Sequence, residues 1–253
     1  MVSARMAANL GALLGVAALS AGLSGCSDGV PPAAAALNDA LVASDALIAG
    51  EAQLRFVNVS PTAPDLDLVV EEEAALSNVA FGYVTDYVNV PAGEYDLSLS
   101  ESSTGGGEPG TLLASSITDI AGDRSFTVVA LDEATRLTTL LLEESYPASS
   151  NEALVRFVHA IPDAPPLTLS AIGDERNVLE AGVEFGSVSD YVAIDPNTTE
   201  LEILATSGPT LKQTQNISIE VGKLYTVYAL GLTRGAPEVD LAILEDTSDW
   251  PQL

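Results

Sequence analysis

The sequence predicts an all-β protein: two tandem immunoglobulin-like antiparallel β-sandwich domains behind a signal peptide and a tether. Three observations carry this expectation. Five sequence blocks occur twice, in the same order and at nearly constant offset. Within each copy, apolar and polar residues alternate with period two, the mark of a half-buried strand. Clusters of Gly, Pro, Asn and Asp punctuate these runs, and no long helical period comes between them.

Residues 1–25 read as an export address. Arg5 is the only charged residue before Cys26. The apolar run Leu10–Leu19 follows, too short and too rich in Gly and Ala for a membrane span. Small residues then lead to Leu23-Ser24-Gly25-Cys26, which resembles the bacterial lipobox. The resemblance implies cleavage before Cys26 and acylation of its thiol. Two or three acyl chains hold far better than one, each buried CH₂ adding roughly 0.8 kcal/mol. Ser27 directly after the cysteine leans, by the same resemblance, towards the outer membrane if the host is Gram-negative.

Residues 26–50 read as a lipidated tether, rich in Ala, Pro, Ser and Asp, with a short helix over 37–48 as the alternative. A flexible chain of this length averages about 27 Å end to end, enough to clear lipid headgroups.

Residues 51–149 and 150–253 form the two repeats. Leu54-Arg55-Phe56-Val57-Asn58 recurs as Val155-Arg156-Phe157-Val158-His159. Pro61-Thr62-Ala63-Pro64 recurs as Pro162-Asp163-Ala164-Pro165. Phe81-Gly82-Tyr83-Val84-Thr85-Asp86-Tyr87-Val88 recurs as Phe185-Gly186-Ser187-Val188-Ser189-Asp190-Tyr191-Val192. Phe126 to Leu131 recurs as Tyr225 to Leu230, and Leu142-Glu143-Glu144 as Leu244-Glu245-Asp246. Tyr95, Leu97 and Leu99 alternate with Glu94, Asp96 and Ser98; Leu201 and Ile203 alternate with Glu200 and Glu202. Phe126, Val128 and Ala130 share parity with Tyr225, Val227 and Ala229, so both strands face a core the same way. About seven strands per repeat fit an immunoglobulin-like sandwich.

This succession of blocks resembles domain-of-unknown-function family 4397, whose members occur as tandem copies in exported bacterial and archaeal proteins. The resemblance runs from about residue 53 to 246. It implies the repeat architecture but neither catalytic residues nor a ligand. The second copy departs from the first at Asp195-Pro196-Asn197, where the first has Pro91-Ala92-Gly93, and at Pro166 and Thr168, where the first has Asp65 and Asp67.

Composition removes several functions. Nine basic residues against 36 acidic ones give a formal charge of −27, which repels nucleic acid and anionic lipid headgroups. Cys26 is the only cysteine, so no intramolecular disulfide forms, and with His159 the only histidine no His/Cys zinc site can be assembled. A Ser-His-Asp triad would need His159, which stands where the first repeat has Asn58 and reads as a strand-end hydrogen-bonding group. Gly105-Gly106-Gly107 lacks the Lys and the helix of a phosphate loop. No catalytic residue is assigned and no cofactor is required. Calcium is the one metal candidate, through the turn acids Asp65, Asp67, Asp119, Asp123, Asp163 and Asp174, although no complete calcium loop is present. In the Phe-Gly-x-Val-x-Asp-Tyr block, the Phe is read as a core aromatic, the Gly as a bend or bulge, Asp86 and Asp190 as turn caps, and the Tyr as buried with a partnered hydroxyl. Trp250 is expected to dock on the second repeat.

The resulting expectation is a cell-envelope lipoprotein, anchored to the bilayer through acylated Cys26, that acts as a non-enzymatic binding or interaction module for an envelope protein or glycan. A structural spacer without a specific ligand is the alternative, and a carboxylate-based hydrolase a third reading.

Overall fold

Along the first strand, Leu54 and Phe56 point one way and Arg55 and Val57 the other, and both faces of that strand are buried. A computed structural model of the chain describes residues 50–71, 73–103, 110–144, 152–173, 176–206, 208–214 and 217–246. The signal segment, Cys26, the tether through residue 49, Gly105–Gly107, Asp174, the junction 145–151 and Trp250 lie outside the described residues.

The first repeat comprises β1 (Glu51–Asn58), β2 (Leu66–Val70), β3 (Glu73–Val79), β4 (Val88–Pro91), β5 (Gly93–Glu101), β6 (Leu112–Ile120), β7 (Ser125–Leu131) and β8 (Thr138–Glu144). A single 3-10 turn, Ala134–Arg136, precedes β8. The second comprises β9 (Ala153–His159), β10 (Leu167–Ile172), β11 (Arg176–Val183), β12 (Val192–Ile194), β13 (Glu200–Ala205), β14 (Thr210–Gln213), β15 (Leu224–Leu230) and β16 (Asp240–Asp246). Each repeat is a sandwich of two four-stranded sheets with identical topology. The orders are β4-β1-β7-β8 over β3-β2-β5-β6, and β12-β9-β15-β16 over β11-β10-β13-β14.

Both halves are β-sandwiches, as the alternation requires. Each has eight described strands rather than about seven, because β4 and β12 are too short, at four and three residues, to display a period of two. One central pairing in each repeat is parallel: β1 with β7, setting Phe56 beside Val128, and β9 with β15, setting Phe157 beside Val227. The remaining pairings between strands are antiparallel.

Each sandwich has its own core. Leu54, Phe56, Leu66, Leu68, Leu97, Leu99, Phe126 and Val128 fill the first. Val155, Phe157, Leu167, Leu169, Leu201, Ile203, Tyr225 and Val227 fill the second. Glu202 departs from simple alternation. It sits on the outer face yet is buried, and it is paired there with Arg176.

A third apolar cluster joins the repeats. Val57, Val59, Val129, Leu131 and Leu142 meet Val158, Ala160, Tyr228 and Leu230. The sheet β4-β1-β7-β8 therefore packs by its outer face against β12-β9-β15-β16. This is why β7 and β15 are buried along their whole length, and why both carry apolar residues on both faces, interrupted by Ser125, Thr127 and Thr226. Phe81 and Phe185 pack partly buried against this third cluster rather than inside their own sandwiches, correcting the expected core placement. Gly82 and Gly186 adopt φ of 78° and 74° at the third position of tight turns closed by Tyr83 N to Ala80 O and Ser187 N to Glu184 O. That conformation favours glycine.

Candidate functional site

Arg55 and Arg156 occupy the same position in the duplicated first strand, both projecting away from their own core towards the other repeat. In the first repeat, Arg55 Nε donates to Thr127 Oγ1 at 2.8 Å, and the Thr127 hydroxyl in turn donates a hydrogen bond to Glu144. Tyr87 donates to the other Glu144 oxygen at 2.5 Å. The second repeat copies this. Arg156 Nε donates to Thr226 Oγ1 at 2.7 Å, and Thr226 and Tyr191 both donate to Asp246 Oδ2 at 2.6 Å. Each guanidinium carbon lies 4.8 Å from the centroid of its repeat's tyrosine ring, Tyr87 or Tyr191.

The two half-sites then cross over. Arg55 donates to Asp246 Oδ1 at 2.7 Å and to the Glu245 carbonyl at 3.2 Å. Arg156 donates to the Glu143 carbonyl at 2.8 Å, and its Nη2 lies 3.5 Å from Asp246. Arg55 also lies 3.0 Å from its own repeat's Glu144. Two cations and two carboxylates thus form a buried, near-symmetric clasp beside the apolar cluster. It is not fully symmetric, since Arg55 reaches both acids.

Burial sets the electrostatics. It is the main influence on Glu144, whose carboxyl is held above its ordinary range; nearby Asp246 adds to the rise, while Arg55 and the Thr127 and Tyr87 hydroxyls oppose it. Burial, with neighbouring carboxylate charge, likewise pushes the Tyr87 and Tyr191 phenols up. For Arg55 burial is the largest single influence and lowers its pKa, but Glu144, Tyr87 and Asp246 together outweigh it, and the pKa rises. All four charged side chains are at most 6% exposed, so the clasp binds one repeat to the other and offers nothing to a solute.

The duplicated blocks acquire a physical meaning here. Their Arg and Tyr build the clasp, and the Phe after the Arg fills each core. The tyrosine hydroxyls are partnered, as expected, but the side chains are half-buried rather than buried. Arg55, Arg156, Thr127, Thr226, Glu144 and Asp246 were not singled out in the sequence. A signal was present: each recurs at the matched position, with Glu and Asp interchanged once, and an Arg within an apolar strand demands a partner.

The other expected residues fall apart from one another. His159 is fully buried. Its Nδ1 accepts from Ile161 N at 3.2 Å, which leaves Nε2 as donor to the Pro165 carbonyl at 3.1 Å. Burial lowers its pKa to about 4. Asn58 does the same work in the first repeat, accepting from Ser60 N and donating to the Val79 carbonyl. Asp86 and Asp190 are exposed and contribute carbonyls; the turn is tied instead by Thr85 and Ser189, which accept from Phe56 N and Phe157 N. The calcium candidates do not converge. Asp67 is occupied by Asn78 N and Ser102 Oγ. Asp163 is spent on Thr233 and Arg234; burial opposes this, but those hydrogen bonds hold its carboxyl below its usual range. Asp65, Asp119 and Asp123 stand in separate turns and edges. Among the described residues no group of three or more His, Cys, Asp or Glu is placed to hold a metal.

Two shallow clefts open on the sandwich flanks. One, of about 180 Å³, lies between β6 and β8 and is lined by Leu97, Ser116, Ile117, Val128, Thr139 and Leu141 among others. The other, of about 440 Å³, lies between β11 and the loops around Asp195, whose carboxylate is engaged by Asn197.

A family described as a domain of unknown function, number 4397, matches residues 52–170 and again 153–252. No curated protein matches the chain. Among solved structures, it is similar to a family 26 carbohydrate-binding module from Eubacterium rectale, in complex with maltoheptaose. That likeness has 9% identity over 79% of this chain and 98% of the other, with a TM-score of 0.25. It is also similar to a candidate cell adhesion protein from Bacteroides eggerthii, at 9% identity over 80% of this chain and 97% of the other, with a TM-score of 0.22. At these TM-scores neither likeness carries an argument about function.

Proposed function

The chain belongs to the family called domain of unknown function 4397 and carries its domain twice; on that footing we propose that it is a non-enzymatic binding or interaction module, exported and held on the cell envelope by acylation of Cys26. The clasp is the observation that carries this reading. Four buried charges and a shared apolar cluster fuse two sandwiches into one body, so their turns and outer sheets are displayed in fixed relation, an arrangement suited to recognition. The buried Arg, Asp, Glu and His side chains are spent on internal contacts, and the remaining acids are dispersed over the surface.

A structural spacer is the second reading, and the scatter of exposed apolar side chains favours it. Apart from the matched Val84 and Val188, which are exposed in both repeats, they differ between the copies: Tyr83, Leu112 and Ile117 stand out in the first, Val178 and Val221 in the second.

The test uses the full chain, tagged, in its native envelope. Labelled palmitate should enter the wild type and not Cys26→Ala, and the variant should leave the membrane fraction; an unlabelled wild type removes the anchoring part of the proposal. Detergent-solubilised wild type is then used for recovery of partners, with and without Ca²⁺. A stoichiometric protein or glycan supports the module. Recovery of nothing in either condition leaves the spacer.

A further inference from the structure

We propose that the outer edge of β6 is a docking site for an extended, basic peptide segment of a partner protein, which joins the sheet as an additional strand. This deepens the module reading and rests on it.

An unpaired strand edge is a template for another chain, and proteins blunt such edges with short strands, Pro, Lys or irregular pairing. Most edges here are blunted in one of these ways. β4 and β12 have four and three residues. β14 has four and carries Lys212. β3 and β11 pair with repeated register shifts. On β8 and β16, Glu143 and Glu245 have their carbonyls occupied by the clasp arginines. β6 is different. It is nine residues long, reads LLASSITDI, and contains no Pro, Lys or Arg. After one irregularity opposite Ser100, its register with β5 runs unbroken from Ala114 to Ile120. Leu112 and Ile117 stand on it 62% and 73% exposed.

A receptor for side chains lies beside this edge. The cleft between β6 and β8 reaches down to Leu97, Val128 and Leu141, with Ile117 at its lip and the Ser116 and Thr139 hydroxyls 3.0 Å apart on its wall. Its volume of about 180 Å³ suits one large apolar side chain, since a dry cavity of roughly 150 Å³ takes up benzene. The second repeat closes the equivalent place from within: Ile217 stands where the first has Thr118, counting back from the matched Tyr225 and Phe126, and packs against its core.

Charge selects the partner. Residues 56–123 contain twelve acidic residues and no Lys, Arg or His. On β5, Asp96 lies opposite Ile117 and Glu94 opposite Asp119. An added strand therefore fits best with apolar side chains towards the cleft and Lys or Arg outward. A second copy of this chain would bring the same acids against themselves, which cross-strand pairing penalises. Main-chain hydrogen bonds supply affinity in this mode, and alternate side chains supply specificity.

The test is fluorescence anisotropy of a short labelled peptide alternating Ile and Lys, titrated with the full-length protein. Saturable binding is expected, weakened about tenfold by Ile117→Lys, unchanged by Val178→Lys, and absent for the matching Ile/Glu peptide. Hydrogen exchange on binding should protect 112–120. Circular dichroism establishes that Ile117→Lys, a change at an exposed position, is folded. Failure of the wild type to bind, equal binding by Ile117→Lys, or protection elsewhere overturns the proposal. So does concentration-dependent dimerisation that Ile117→Lys abolishes, because the occupant is then a second copy. If a partner is still recovered from envelopes by Ile117→Lys as by wild type, the β6 site falls and the module reading stands. If wild type recovers none, the module reading itself falls.

Discussion

Replacing Arg55 with Met should be the most damaging single change in the clasp. Arg55 is 5% exposed, and the side chains of Glu144 and Asp246 are fully buried. The substitution removes bonds to Thr127, Asp246 and the Glu245 carbonyl, and the ion pair with Glu144. Two carboxylates then share Arg156, whose Nη2 lies 3.5 Å from Asp246. Leaving a buried charge uncompensated costs about 3–5 kcal/mol, a large part of the roughly 5–15 kcal/mol that holds an ordinary domain folded. Urea denaturation of the full chain, followed by circular dichroism, measures it. The loss should depend on pH. Burial already holds the Glu144 carboxyl above its ordinary 4.5, so the folded state binds this proton more tightly than the unfolded state. Stability from this group therefore falls as pH rises from 4.5 through the folded value. Without Arg55, which opposes the rise, the folded value climbs further. The penalty should be largest at neutral pH and shrink towards pH 5. Adding Glu144→Leu restores charge balance and should recover at least half of the loss. A cost below about 1 kcal/mol, as for an exposed pair, or a double variant no more stable than the single, would refute this account of the clasp.

Two further substitutions examine other buried polar groups. His159→Asn installs the residue that Asn58 uses in the sister repeat and should cost about 1 kcal/mol or less. His159→Leu strands Ile161 N and should cost about 1–3 kcal/mol; thermal denaturation compares them. Because the folded histidine titrates near 4 and the unfolded near 6.5, wild type should lose stability as pH falls from 6.5 towards 4, and His159→Asn should lose less over that window. Tyr228 is fully buried in the inter-repeat cluster, and its hydroxyl has no hydrogen-bond partner among the described residues. Tyr228→Phe should therefore leave Tm unchanged or raise it by a few degrees, since deleting an unsatisfied polar atom removes a desolvation cost; a marked drop in Tm would reveal a partner for that hydroxyl.

Much of the fold was legible because sandwiches write themselves into alternation. Leu97 and Leu99 face the core, as do Phe126, Val128 and Ala130, each on the parity read from the strand itself. The duplicated Asn58 and His159 were legible too, as strand-end hydrogen-bonding groups. Short elements were not: three residues of β12 display no period. The Phe81 and Phe185 placements were misread because an aromatic beside a strand says only that it is buried, not against what.

The sequence by itself determined the duplication, the β class, the parity of β5, β7, β13 and β15 and the absence of a His/Cys metal site, since each depends on residue identity or local period. Tertiary structure alone decided which partner the second face of β1, β7, β9 and β15 would have. Apolar residues on both parities of these strands state that both faces are covered, but the cover lies about a hundred residues away in the other repeat. The pairing of Arg55 with Asp246, 191 residues apart, is likewise invisible until two sheets meet, because charge pairing is fixed by distance in space and has no period along the chain.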